Sequence, residues 1–180
     1  MPFSSTLAAI DGWLAENAPL THRDLAPPAT GADLAAVRAH LGADLLPDVE
    51  ALLRWHNGAG RFRPPLCLAP GYAFLGTDAM IALARARLAA DQDRLWRTWK
   101  RRWLPVAADG KGNCLVVDHS EDDDRAEVTV SSGDDHGGPP KTWPDLGDLL
   151  SKTYEAMRYG SRLMNRRRIV TDGRLDWEDA

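Results

Sequence analysis

The sequence predicts a single domain of helices packed on one sheet, and three observations lead there. Residues Trp103 to Asp118, W-L-P-V-A-A-D-G-K-G-N-C-L-V-V-D, are two short apolar runs around a Gly/Asp/Asn-rich interval, the pattern of an antiparallel hairpin with a loop longer than two residues. Upstream of it, apolar residues recur mostly at helical spacing. Downstream lie one more strand pattern and one more strong helix pattern. The hairpin is therefore expected at the centre of the only sheet, with the other elements packed against it.

Taken in order, Ser4 to Asn17 carries Leu7, Ile10, Trp13 and Leu14 on one helical face behind a Ser/Thr cluster able to cap, and Pro19 is expected to end this helix. Asn17 to Thr30 holds three prolines and reads as a connector. Asp33 to Leu41 is a second helix with Gly42 as its stop. Pro47 opens a third, because proline is tolerated at the first helical position, and Asp48 and Glu50 place negative charge where the helix dipole favours it. Val49, Leu52, Leu53 and His56 form its stripe. Asn57-Gly58 is read as its stop; the alternative, a type I′ hairpin, lacks an alternating run before it.

Ala59 to Gly71, with three prolines, two glycines, Arg61 and Arg63, reads as a surface loop, and Tyr72 to Gly76 as a short strand. Thr77 then caps a helix expected to reach about Arg101, with Met80, Ala84, Leu88, Leu95 and Trp99 on one side and a break marked by Asp91 and Asp93. After the hairpin, His119 to Arg125 is a polar acidic loop, Ala126 to Ser132 a strand, and Gly133 to Pro140 a second loop. A final helix is expected from Trp143 to Tyr159, with Pro144 in its first turn, Asp145 and Asp148 near its start and Gly160 at its end. In the tail, Ile169-Val170 and Leu175-Asp176-Trp177 flank Thr171-Asp172-Gly173 as a small hairpin. These elements divide the chain into a domain over residues 1–160 and a charged extension over 161–180.

At 180 residues the chain is long enough to bury roughly 70% of its unfolded surface without staples. A net charge of −4 and a pI near 5.7 supply no field that attracts nucleic acid or an anionic membrane, which argues against direct nucleic-acid binding. No stretch approaches the ~20 apolar residues of a membrane span, and the first residues lack a basic leader, so a cytoplasmic location is expected. Cys67 and Cys114 lie in different segments with neither metal nor redox spacing, as suits a reducing compartment. Seven tryptophans are many for this length, and tryptophan serves both packing and the anchoring of interfaces.

The chemistry of the side chains points away from catalysis. His22, His40, His56, His119 and His136 are not accompanied by a G-x-S-x-G elbow, and His56 sits on a packing stripe. Asp109-Gly-Lys-Gly-Asn113 lacks the G-x-x-x-x-G-K-[ST] frame and precedes a strand, so it is a turn rather than a phosphate cradle. The acidic loop lacks EF-hand spacing, Arg166 to Arg168 is too short for a nucleic-acid footprint, and Trp96 and Trp99 read as packing residues. No cofactor, no metal and no enzymatic activity are expected.

The order of the signals carries a resemblance. L-P-D-V-E-A-L-L-R-W-H-N-G (46 to 58), F-L-G-T (74 to 77), the hairpin (103 to 118), V-T-V-S-S-G-D (128 to 134) and W-P-D-L-G-D-L-L (143 to 150) together resemble the SUKH superfamily, specifically its Smi/Knr cell-wall-assembly-regulator type, from about Asp33 to Tyr159. The resemblance implies an α+β domain with a central, mostly antiparallel sheet flanked by helices. It implies a non-catalytic protein-binding domain, foremost a bacterial immunity protein that neutralises a cognate polymorphic toxin, with a regulatory scaffold as the alternative and an enzyme a distant third. The family has no shared catalytic set to carry over. This chain departs from the pattern in its acidic loop and its arginine-rich tail. In that loop Glu121, Asp122, Asp123 and Asp124 crowd four like charges together with no evident gain to folding, and they are the candidate partner-binding residues for a cationic toxin domain.

Overall fold

A computed structural model of the chain describes residues 2–92, 99–120, 127–131 and 142–180. The architecture is α+β: a six-stranded, wholly antiparallel sheet with helices on both faces. Its strands are β1 (Cys67–Ala69), β2 (Tyr72–Phe74), β3 (Trp103–Ala108), β4 (Cys114–Asp118), β5 (Val128–Ser131) and β6 (Thr142–Trp143), neighbours in that order. The predicted hairpin is β3–β4, pairing Trp103 with Asp118 and Ala108 with Cys114 at the middle of the sheet. Pro105 is tolerated in a central strand because the register shifts just after it.

The helices are α1 (Phe3–Asn17), α2 (Pro19–Arg23), α3 (Gly31–Leu41), α4 (Pro47–Trp55), α5 (Thr77–Gln92) and α6 (Leu146–Tyr159). On one face of β4, Leu115 and Val117 join the main core with Leu14, Leu52, Leu53, Leu149 and Met157 from α1, α4 and α6. On the other, Cys114 and Val116 pack with Ala84 of α5 and with Trp99. Coverage of both faces is why β4 reads as an unbroken apolar run rather than an alternating one. At the β1 edge the buried Thr153 hydroxyl of α6 lies 2.7 Å from the Leu68 carbonyl, so the helix covers the strand edge.

Several boundaries differ from expectation, each for a local reason. α1 begins behind Pro2, whose carbonyl accepts from the amides of Ser5 and Thr6, and the Ser/Thr cluster lies inside the helix and caps nothing. Pro19 does not simply end α1; it occupies the first position of α2, a helix inside the supposed connector. α4 ends at Trp55 with His56 already extended, two residues before Asn57-Gly58. The Pro-rich loop contains β1, and the helix expected up to Arg101 is described over Thr77–Gln92, residues 93–98 lying outside the described residues; Trp99 and Lys100 are not helical, and the Trp99 amide donates to Asp91. Trp143 belongs to β6, paired with Val128, so α6 starts only after Pro144, with Asp145 accepting from the Asp148 amide at 2.7 Å. The expected second loop, 133–140, lies outside the described residues.

The six-stranded sheet is also not the only one. The tail forms a second hairpin, β7 (Arg166–Thr171) and β8 (Arg174–Asp179), closed through Asp172-Gly173 with φ of 50° and 74°. It is docked: Leu175 and Trp177 are part of the main core, the Leu175 amide donates to Thr21 Oγ1 at 2.9 Å, and the Leu20 amide donates to the Gly173 carbonyl at 2.9 Å. Its arginine triplet is engaged too, with Arg166 facing Asp179 (3.3 Å), Arg167 facing Glu178 (3.1 Å) and Arg168 lying over Trp13 (5.4 Å).

Candidate functional site

The segments that carry the strongest motifs meet at one place. After α4, Asn57 turns back so that its Oδ1 accepts from the Thr77 amide at 2.7 Å and its Nδ2 donates to Thr77 Oγ1 at 3.2 Å. Asn57 therefore caps α5, not the helix it follows. Gly58, at φ 99°, lies so close to Gly76 that a Cβ would stand 2.6 Å from the Gly76 nitrogen. Gly60, at φ 77°, passes against Asp24, where a Cβ would meet the carbonyl oxygen at 1.7 Å. Only glycine fits either position, by conformation and by space.

These close approaches leave a concavity of about 540 Å³ between the chain at 57–65 and the passage from β2 into α5. Gly58, Ala59, Ala73, Gly76 and Ala79 supply much of its wall, and Arg61, Phe62 and Arg63 form an exposed rim. Phe62 keeps 58% of its surface in solvent. Arg174 of β8 stacks over its ring at 5.6 Å and donates to Asp24 Oδ2 at 2.6 Å, so the C-terminal hairpin braces the aromatic from behind. A second, smaller concavity of about 320 Å³ lies between the β1–β2 turn and the chain entering β7, lined by Gly71, Tyr72, Asp109, Lys111, Met164 and Arg166 among others.

The acidic residues of the hairpin motif are occupied in holding it together. Asp109 accepts from the amides of Lys111 (2.7 Å) and Asn113 (2.9 Å) and from Asn113 Nδ2 (2.5 Å). Burial pushes its carboxyl up, but these donors outweigh that and hold it below the usual range. Asp118 accepts from Lys100 Nζ (2.7 Å), Trp103 Nε1 (2.8 Å) and the Ser120 amide (2.8 Å). Burial again opposes ionisation, and again the donors win, bringing it down to about 2.

The candidate nucleophiles and bases are similarly committed. Burial raises both Cys67 and Cys114 to about 11, which keeps them as thiols. Asp11 Oδ1 accepts from His22 Nε2 and Trp55 Nε1, each at 3.1 Å, while His56 Nδ1 lies 2.6 Å from the Ala26 carbonyl. This ties α1 to α2 and α4. Burial pushes Asp11 up, and the hydrogen bonds from Trp55 and His22 carry it below its ordinary value. Burial drives His40 and His119 down; the charges of Arg85 and Arg101 add to the effect on His40. His136 and Trp96 lie outside the described residues. Among the described residues no three His, Cys, Asp or Glu side chains gather as metal ligands.

Glu121, Asp122, Asp123 and Asp124, the residues singled out from sequence, also lie outside the described residues. Of the two roles open to the tryptophans, the described ones serve packing: Trp99, Trp143 and Trp177 are buried, Trp13, Trp55 and Trp103 half-buried. Phe62 is the aromatic that reasoning from sequence passed over. Its signal was present as R-F-R in a Pro/Gly-rich loop, where only the arginines drew notice.

Compared with known protein families, residues 28–152 match the model of the SMI1 / KNR4 family (SUKH-1). No curated protein matches the chain. The matched span contains the whole six-stranded sheet and both walls of the larger concavity, and it leaves out α1, α2 and the C-terminal hairpin.

Proposed function

Because this chain belongs to the SMI1 / KNR4 family (SUKH-1), whose domains commonly interact with proteins, we propose that it is a non-catalytic binding domain that acts as an immunity protein, neutralising a cognate bacterial toxin in the cytoplasm. The observation that carries this reading is the exposed Phe62 between Arg61 and Arg63 at the mouth of a concavity. Aromatic and arginine side chains are enriched where interface energy concentrates, and here an aromatic and two arginines stand together on one rim. Thiols held in the protonated form and a carboxylate committed to a turn are consistent with a role in recognition. Among the described residues no helix is long and apolar enough to cross a membrane.

The test is genetic. Each open reading frame adjoining this gene is expressed alone and together with this chain, and growth is scored. An immunity protein restores growth against one toxic neighbour and binds its product; a regulatory scaffold of the same fold restores none. No toxic neighbour, or a toxic one against which this chain gives no protection, overturns the proposal.

A further inference from the structure

The larger concavity has a narrower chemistry than protein binding in general. No acidic side chain lines it, although the chain as a whole carries a charge of −4. Arg61 and Arg63 stand exposed on its rim and form no ion pair with a described residue. Among the side chains of a protein partner, such an exposed guanidinium is matched by a carboxylate, which it grips through two parallel hydrogen bonds. The inner wall is largely glycine and alanine, so the main chain of an incoming segment can approach closely.

Phe62 differs from an ordinary exposed side chain in being braced. Arg174 covers its ring, Asp24 fixes Arg174, and β8 is itself anchored by buried Leu175 and Trp177. An anchor already held in place loses less freedom on binding. The brace comes from the C-terminal hairpin, outside residues 28–152.

Resting on the protein-binding reading above, we infer that this face takes an acidic, extended segment of the partner protein. Carboxylates of that segment pair with Arg61 and Arg63, while Phe62, positioned by Arg174, packs into an apolar site beside them. Arg174 is a positioning residue: it acts through the ring it covers.

The test uses the full chain and two fluorescein-labelled peptides, one alternating Asp with Leu and one with Lys at every Asp. Fluorescence anisotropy should show the Asp peptide binding about tenfold or more tightly than the Lys peptide, with an affinity that falls as salt rises, a comparison needing no variant. Arg61→Glu with Arg63→Glu should weaken the Asp peptide about tenfold or more. Arg174→Met should weaken it severalfold when Phe62 is present and hardly at all in a Phe62→Ala background, a non-additivity that general loss of stability would not produce. Equal binding of the two peptides, or equal binding by wild type and the charge-reversed variant, overturns the inference. Additive effects of Arg174→Met and Phe62→Ala overturn the role of Arg174. Dimerisation that the charge reversal abolishes would name a second copy as the occupant and also overturn it. The growth assay separates this inference from the immunity reading: if wild type and the charge-reversed variant protect equally, the groove is refuted and immunity stands. If wild type gives no protection while the peptides behave as expected, the groove stands and immunity falls.

Discussion

Replacing Gly58 with alanine tests the contact on which the groove is built. At φ 99° a residue with a Cβ is strained by about 1–2 kcal/mol relative to glycine. The new methyl would also stand 2.6 Å from the Gly76 nitrogen, 3.0 Å from its Cα and 3.2 Å from the Leu75 carbonyl carbon, all main-chain atoms. Gly76 cannot simply recede, because the next residue's amide is held by Asn57 Oδ1 at 2.7 Å and that cap is worth about 1 kcal/mol. Relieving such an overlap adds about 1–3 kcal/mol, for a total near 3 kcal/mol. Gly42→Ala is the matched control: φ is 64°, but nothing lies within 4 Å of the Cβ position, so only the strain, about 1 kcal/mol, should appear. Urea unfolding followed by tryptophan fluorescence reads the difference. With a slope of about 2 kcal/mol/M, the Gly58 variant should unfold about 1 M earlier than the Gly42 variant. Coincident midpoints would refute the close approach as the reason for glycine at this position.

Three further outcomes are expected. Asp118 titrates at about 2 in the folded chain, below the ordinary 3.8, so its contribution is present above about pH 4 and lost as pH falls through 2; Asp118→Asn should cost roughly 2 kcal/mol at neutral pH and progressively less as pH falls towards and below 2, and parallel pH–stability curves would reject this. Raised from 9.0 to about 11, Cys67 and Cys114 should react with a thiol reagent at pH 8 about a hundredfold more slowly than an ordinary cysteine, and readily once the chain is unfolded; rapid stoichiometric labelling of the native chain would contradict their environment. Changing Glu121, Asp122, Asp123 and Asp124 to Ser or Asn should leave the melting temperature nearly intact while slowing association with a cationic cognate toxin and flattening its salt dependence; identical rates and slopes would remove the acidic loop from the interface.

The features legible in the amino-acid order are those that nearest neighbours decide. β4 runs from Cys114 to Asp118 as read, Gly42 and Gly160 stop α3 and α6 in the left-handed conformation, and Asp172-Gly173 closes the tail hairpin. Each signal lies within a few residues of its consequence, in a cap, a turn or an apolar period, and needs no partner from elsewhere. Tertiary structure decided the rest. Cys67–Ala69 is a strand only because β2 pairs with it, and Trp143 joins β6 only because Val128 lies opposite. Asn57-Gly58 carries the same two letters as a helix stop, yet its side chain caps α5 twenty positions later and its glycine makes room for Gly76. Composition places a phenylalanine inside by default; Phe62 stays outside, braced by an arginine from the far end of the chain that is itself fixed by Asp24. Contacts between residues so far apart in sequence leave no periodicity behind, so the walls of the groove became legible only once the chain had folded back on itself.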